Sequence, residues 1–479
     1  MQAAIGARAT TVASEASMTL LGFGGSGAWW PYDLYNFPDA VRANLSSFLF
    51  SDTGLGLTSY RYNIGGGGVN VSNPTRAPET FMLITVRSTY NWDADAPGRY
   101  FLYQAQEVGG DDLKITMLVN SAPAAMTLEH ASCGTSFANG TGDWYGGYVA
   151  DVLEHFLIAY VSPMNEPDNN FGPSPCGQEG MEVTQYQRAE MITGLYSALV
   201  DRGLQDRIGI LADESSSLSR ATGEYADWLP QVIDMVAYLV HHTYDFPSDA
   251  YAADGADRFP RKATWMSEIC CSLGEADGTG RGWSGGYDPT IANALMWSGM
   301  VYQSILVAGE AHYDFWTLVS GGIGCDPLDD ASCVTTPNAD GWTDGVIYYD
   351  DDYATNGNYE LYLTKHFWTY KHFGNFVKPG SSLYPITNTS STLLNSTIVV
   401  GTPFDDAFNV ISMNPTTEDV QLELSFSACV EPTTAYRTSA DEDFAELEAA
   451  DVVTAGEEGW VLTVSATSQM TFVFGVVDC

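Results

Sequence analysis

Between about Leu20 and Phe376, short apolar runs alternate with longer stretches whose apolar residues recur at three- and four-residue steps. The strand-like runs include LTSYRYNI (57–64), LKITMLVNS (113–121), LIAYVSPM (157–164), RIGILADE (207–214), MVAYLVHHTY (235–244) and ATWMSEI (263–269). GYVADVLEHFLI (147–158) and TQYQRAEMITGLYSALVDRGL (184–204) carry helical spacing between them. Such alternation predicts an α/β fold with a parallel sheet. With GFGGSG as the first strand, about eight strands can be placed, a number that suits a (β/α)8 TIM barrel better than an open sheet.

After Pro379 the helical period vanishes. STIVVGTP, AFNVISMNP, VQLELSFSA, GWVLTVSA and QMTFVFGVV follow as short runs separated by turn signals, the pattern of a β-sandwich. The N-terminal stretch TTVASEASMTLLGF also reads as strand and is expected to join that sandwich. The expected organisation is an N-terminal strand in 1–20, a catalytic barrel in 21–378 and a β-sandwich in 379–479. No Pro- or Ser-rich linker separates barrel from sandwich, so the two are expected to pack closely.

Charge narrows the function. The chain has 479 residues, with 60 acidic against 19 basic side chains and a formal charge of −41. This surface repels phosphate, which excludes nucleic acid and anionic membranes as expected partners and favours a neutral or cationic substrate. Acidic or saline surroundings would suit it. The longest apolar runs, such as VIDMVAYLV, are far short of the roughly 18 residues a membrane-spanning helix needs.

The eight cysteines contain no zinc-type CxxC spacing. Disulfides are their expected use, with Cys325–Cys333 and Cys429–Cys479 as local pairs. Sequons at Asn44, Asn70, Asn139, Asn388 and Asn395 lean the same way, toward a secreted glycoprotein, although no leader is visible in MQAAIGARAT. A monomer is expected.

The functional residues of a barrel lie at the carboxyl ends of its strands. LIAYVSPM runs into Asn165-Glu166, and ATWM runs into Ser267-Glu268, so two carboxylates close the fourth and seventh strands. A glycosidase needs such a pair: a protonated carboxyl to release the leaving oxygen and an ionised one to attack the anomeric carbon. Arg61, Asn63, Asn120, Ser121, His241, His242, Tyr244 and Trp316 end other strands. Arg61 is expected to orient the nucleophile and Tyr244 to hydrogen-bond it. Asp213-Glu214 is expected to bind substrate or pack within the site rather than to form a rival catalytic pair. Neighbours on a strand point to opposite faces, so only one of His241 and His242 faces inward, and no metal is expected.

Trp29, Trp30, Trp144, Trp283 and Trp342 are candidate sugar platforms in loops, with Trp30 at the end of the first strand. Arg281 is the one base that the sequence offers for contact with an acidic sugar. The run Gly65–Gly68 lacks the Lys-Ser/Thr of a phosphate loop, and no GxSxG elbow occurs, so neither a nucleotide cofactor nor an α/β-hydrolase is expected.

The words SPMNEPDNNFGPSPCGQEGM, TWMSEICCS, GFGGSGAWWPYDL, SYRYNIGGGG, HHTYDFPSD, HYDFWTLVS and LYLTKHFWTYKHFGNFVKPG together resemble glycoside hydrolase family 30 over nearly the whole chain. In detail they are most similar to its endo-β-1,6-galactanases. The resemblance implies a retaining hydrolase without cofactor, with Glu166 as general acid/base and Glu268 as nucleophile. It further implies that Asn165 contacts the sugar 2-hydroxyl and that Arg61, Tyr244 and Trp316 surround the −1 sugar. The implied partner is a neutral polysaccharide, β-1,6-galactan. A β-1,6-glucanase, a xylanase, an exo-acting galactobiohydrolase and a non-catalytic carbohydrate-binding protein are the alternatives.

Overall fold

The computed structural model describes residues 10–83, 89–257, 262–387, 393 and 396–479. Eight parallel strands close into a barrel: β1 (Gly22–Gly27), β2 (Ser59–Ile64), β3 (Lys114–Val119), β4 (Tyr160–Ser162), β5 (Gly209–Ser215), β6 (Tyr238–His242), β7 (Thr264–Glu268) and β8 (His312–Thr317). They pair in chain order, and β8 returns to β1 through His312↔Gly22 and Phe315↔Gly25. The strands named from the apolar pattern are the barrel strands. Gly24 on β1 has a structural reason to lack a side chain, since a Cβ there would stand 2.4 Å from both the Asp314 carboxylate and the Ser59 carbonyl.

Helices cover the barrel. Gln185–Arg202 shows why its boundaries were readable: Thr184 and Gln187 form a capping box, and Gly203 ends the helix in the left-handed region at φ 68°. Its neighbour Gly142–Phe156 packs against it through Gly146 and Gly194, where a Cβ on either would clash with backbone of the other helix. Among the described residues, no helix is long and apolar enough to cross a membrane.

The antiparallel strands after Pro379 form two sheets. One has seven strands, with Met18–Thr19 at its edge, and the other has five and includes Thr10–Val12, which runs parallel to Val420–Ser425. The N-terminal segment therefore contributes to both sheets; residues 1–9 lie outside the described residues.

The strand Thr397–Gly401 explains its unbroken apolar reading. Ile398 and Val400 pack into the barrel core while Val399 faces the interior of the sandwich, so both faces of this sheet are covered. His372 fastens the junction, its two ring nitrogens hydrogen-bonding Thr471 at 2.8 Å and Thr438 at 3.0 Å. Gln469 adds a bond to the Thr369 carbonyl at 3.0 Å.

Four disulfides form: Cys133–Cys176, Cys270–Cys271, Cys325–Cys333 and Cys429–Cys479. The last two are the local pairs expected from sequence, whereas the union of adjacent Cys270 and Cys271 was not anticipated. Asn44, Asn70 and Asn139 are exposed, while Asn388 and Asn395 lie outside the described residues.

Candidate active site

At the carboxyl end of the barrel, a cleft of about 640 Å³ is lined by Trp29, Arg76, Asn120, Asn165, Glu166, Tyr244, Glu268, Trp283, Trp316 and Trp342, among others. Glu268 ends β7. Glu166 follows β4 by a few residues in a tight turn, with φ of 41°, its backbone N–H donating to the Glu214 carbonyl at 2.9 Å. Oxygens of Glu166 and Glu268 lie within 4.8 Å of each other. This close approach is compatible with the carboxyl separation of about 5–5.5 Å found in retaining glycosidases.

The two carboxyls have different surroundings. Glu268 accepts from Arg61 Nη1 at 3.0 Å and from the Tyr244 hydroxyl at 3.0 Å. Glu166 faces His242 Nδ1 at 3.2 Å and accepts from Asn169 at 3.3 Å. Behind them lies Glu214, wholly buried, which meets Arg61 Nη2 at 3.3 Å and His242 Nε2 at 3.0 Å and accepts from Ser162 and Ser267. Ser162 ends β4 and Ser267 precedes the nucleophile candidate, so one carboxylate ties four strand ends together.

These contacts set the charges. Burial alone would lower the His242 pKa, but the Glu268 charge and the hydrogen bonds to Glu166 and Glu214 push it up to about 10. Burial would raise Glu214, yet the Arg61 guanidinium and His242 hold it down at about 2. Arg61 stays charged: burial opposes its charge, but the Glu214 and Glu268 carboxylates outweigh that cost. Glu268 is displaced upward by burial, with the cations of His242 and Arg61 opposing the shift and Glu166 adding to it. Three carboxyls thus confront two cations, Arg61 and His242.

Glu166, His242 and Glu268 also sit close enough to ligate a metal ion. The chemistry of the set argues against it. His242 is an imidazolium whose two nitrogens both face carboxylates, leaving no lone pair for a metal.

Asn120, Asn165 and Trp316 line the cleft; the side-chain oxygen of Asn165 is buried with no hydrogen-bond partner among the described residues. Trp316 is placed by its backbone N–H, which donates to the Ile269 carbonyl at 2.9 Å. His242 points inward, whereas its neighbour His241 lies outside the barrel, paired with Glu310 at 2.6 Å. Asp213 likewise turns away to Arg188 at 2.7 Å.

Three expectations need correction. Trp30 is buried in the core against Phe101 and Tyr60, its indole N–H bonded to the Ser26 carbonyl, so it is not a cleft residue. Trp29 takes that place, because its φ of 70° breaks the alternation of the strand just before it. Trp144 is part-buried against the core, whereas the loop candidates Trp283 and Trp342 do line the cleft. Arg281 faces cavities behind the cleft with Gln303, Met296 and Glu310, and the guanidinium that lines the cleft is that of Arg76.

The glycine run has a use that its sequence did not disclose. Gly66 and Gly68 donate their N–H groups to the buried carboxyl of Glu179, holding the loop after β2 to the loop after β4, which Cys133–Cys176 also tethers.

Comparison with known proteins bears on the fold. Residues 9–235 match the family model of O-glycosyl hydrolase family 30. No curated protein matches the chain. Among solved structures, a conserved exported protein from Bacteroides fragilis superposes with a TM-score of 0.77 at 18% identity, covering 97% of this chain and 100% of that one. The catalytic domain of GH30 xylanase C from Talaromyces cellulolyticus gives 0.70 at 19% identity, covering 98% and 100%. An endo-β1,6-glucanase gives 0.70 at 14% identity, covering 98% and 94%. The fold is thus shared with solved family 30 enzymes.

Proposed function

We propose that this chain is a retaining glycoside hydrolase of family 30 that cleaves β-1,6-galactan side chains of arabinogalactan-type glycans from within the chain. The observation that carries the reading is the approach of Glu166 and Glu268 within 4.8 Å in the cleft. In the first step a Glu268 oxygen attacks the anomeric carbon while Glu166 gives its proton to the departing glycosidic oxygen. Arg61 and Tyr244 keep the attacking carboxylate aimed, and Asn165 holds the sugar 2-hydroxyl. In the second step Glu166 takes a proton from water, which attacks the same carbon and releases Glu268. Both steps balance on the side chains of the protein and water, so no cofactor is required.

A neutral polymer is favoured by the acidic surface and by the aromatic walls Trp29, Trp283, Trp316 and Trp342. The galactan assignment rests on the sequence words most similar to galactanases. β-1,6-Glucan is the second reading, supported by the superposed β1,6-glucanase. Four disulfides fit an oxidising, extracellular setting, as does the likeness to an exported protein, and we place the enzyme there as a monomer. Reducing-sugar release from debranched arabinogalactan, β-1,6-glucan and glucuronoxylan tests the substrate. Faster hydrolysis of either of the last two overturns the galactan assignment, and activity persisting in Glu268→Gln overturns the mechanism.

A further inference from the structure

We propose that Arg76 and Asp344 form a clamp for one ring hydroxyl of a neutral hexopyranosyl unit stacked on Trp29, on the glycone side of the cleft. The proposal rests on the glycosidase reading above and deepens it.

Both residues line the cleft. The Arg76 guanidinium carbon lies 4.1 Å from the centre of the Trp29 ring, a cation–π contact that holds the side chain in place. No hydrogen bond or ion pair to the described residues uses its five N–H donors. Asp344 is buried, with the Ser320 side chain hydrogen-bonding its carboxyl and the Arg76 charge acting on it, while its Oδ1 has no hydrogen-bond partner among the described residues. A buried acceptor and a set of donors thus line the same cleft, and a sugar hydroxyl matches both, because it donates to one group and accepts from the other. A uronate carboxylate would satisfy Arg76 but bring a like charge against Asp344.

The side of the cleft follows from barrel order. Glu166 on the loop after β4 must face the leaving group. β8 stands four strands away, directly across the mouth, and β1 adjoins it. Trp29 follows β1, Asp344 lies in the loop after β8, and Trp29 packs edge-on against Trp316 at 4.9 Å. This wall is therefore the one away from the leaving group.

Steady-state kcat/KM on β-1,6-galactan, β-1,6-glucan and glucuronoxylan, for the unaltered enzyme and for Asp344→Ala, Asp344→Asn, Arg76→Met and the Arg76→Met/Asp344→Ala pair, tests the clamp. On the preferred neutral glycan each single truncation should lower kcat/KM by about tenfold to a hundredfold, the scale of a hydrogen bond to a charged group. The pair should lose little more than either alone, since one hydroxyl bridges both. Asp344→Asn should shift the rate ratio toward glucuronoxylan, a change that a purely structural role would not produce. Thermal midpoints within a few degrees of the unaltered enzyme would attribute these losses to binding. Truncations retaining activity within about twofold in folded protein, or losses that simply multiply, overturn the clamp while leaving the glycosidase reading intact. Absence of hydrolysis by the unaltered enzyme overturns that reading and the clamp with it.

Discussion

His242 Nε2 lies 3.0 Å from Glu214 Oε2, and this contact helps keep a buried imidazole cationic between the two cleft carboxyls. Glu214 touches no cleft space itself; it acts by holding Arg61 and His242. Removing one member of a buried ion network leaves the others uncompensated, at a typical cost of about 3–5 kcal/mol. Glu214→Gln should therefore lower stability to chemical denaturation by about that order and reduce kcat, because Arg61 would lose one of its two carboxylates. An unchanged denaturation midpoint would show that the network does not anchor the site.

Glu166 and Glu268 should respond differently to truncation. Glu166→Ala should spare aryl glycosides whose leaving group needs no proton, while activity on polysaccharide falls steeply, and azide should restore turnover by attacking the glycosyl-enzyme. Equal losses on both substrate kinds would contradict the acid/base role.

The buried titratable groups give a signed dependence on pH. Burial pushes Glu179 up from 4.5 to about 8, against the hydrogen bonds from Gly66 and Gly68. Between those values the folded chain holds a proton that the unfolded chain has released, so this group lowers stability as pH rises from about 4.5 to 8. Glu179→Gln should gain stability relative to the parent across that window and show no further relative gain above it. Buried His366 and His372 act oppositely. Burial lowers both from 6.5 to about 3, so they are neutral when folded and cost stability as pH falls below 6.5. Replacing His372 with Gln should flatten the acid side of the melting-temperature profile. A parallel shift at all pH values would sink either assignment.

The sandwich should not be separable. Ile398, Val400, Ile411 and Met413 belong to the same apolar cluster as the barrel, and His372 is bonded across the junction. Deleting 380–479 strips that cover, so the truncated chain is expected to be insoluble when expressed. A soluble, active barrel would contradict this.

Much of the site was legible because strand chemistry is local. An apolar run followed by a polar residue marks a strand end, which located Glu166, Glu268, Arg61 and Tyr244, and two-residue alternation required that only one of His241 and His242 face inward. The failures occur where alternation stops. Trp29, at φ 70°, caps a short helix that Trp30 begins, so neither direction follows from strand period. Arg76 and Asp344 come from long loops with no periodic signal. The grip of Gly66 and Gly68 on Glu179 joins loops more than a hundred residues apart in sequence, which one chain read linearly does not reveal. Glu214 was visible as a strand-end acid, but its burial beneath the cleft depends on the closure of four strands.

The central claim is double displacement by Glu268 with Glu166 as acid/base, and the anomeric configuration of the first-formed product tests it most directly. Proton NMR of the reaction on a β-linked oligosaccharide, read in its first minutes before mutarotation, should show the β-anomer appearing first and the α-anomer growing in later. Initial appearance of the α-anomer would mean inversion and would contradict the account.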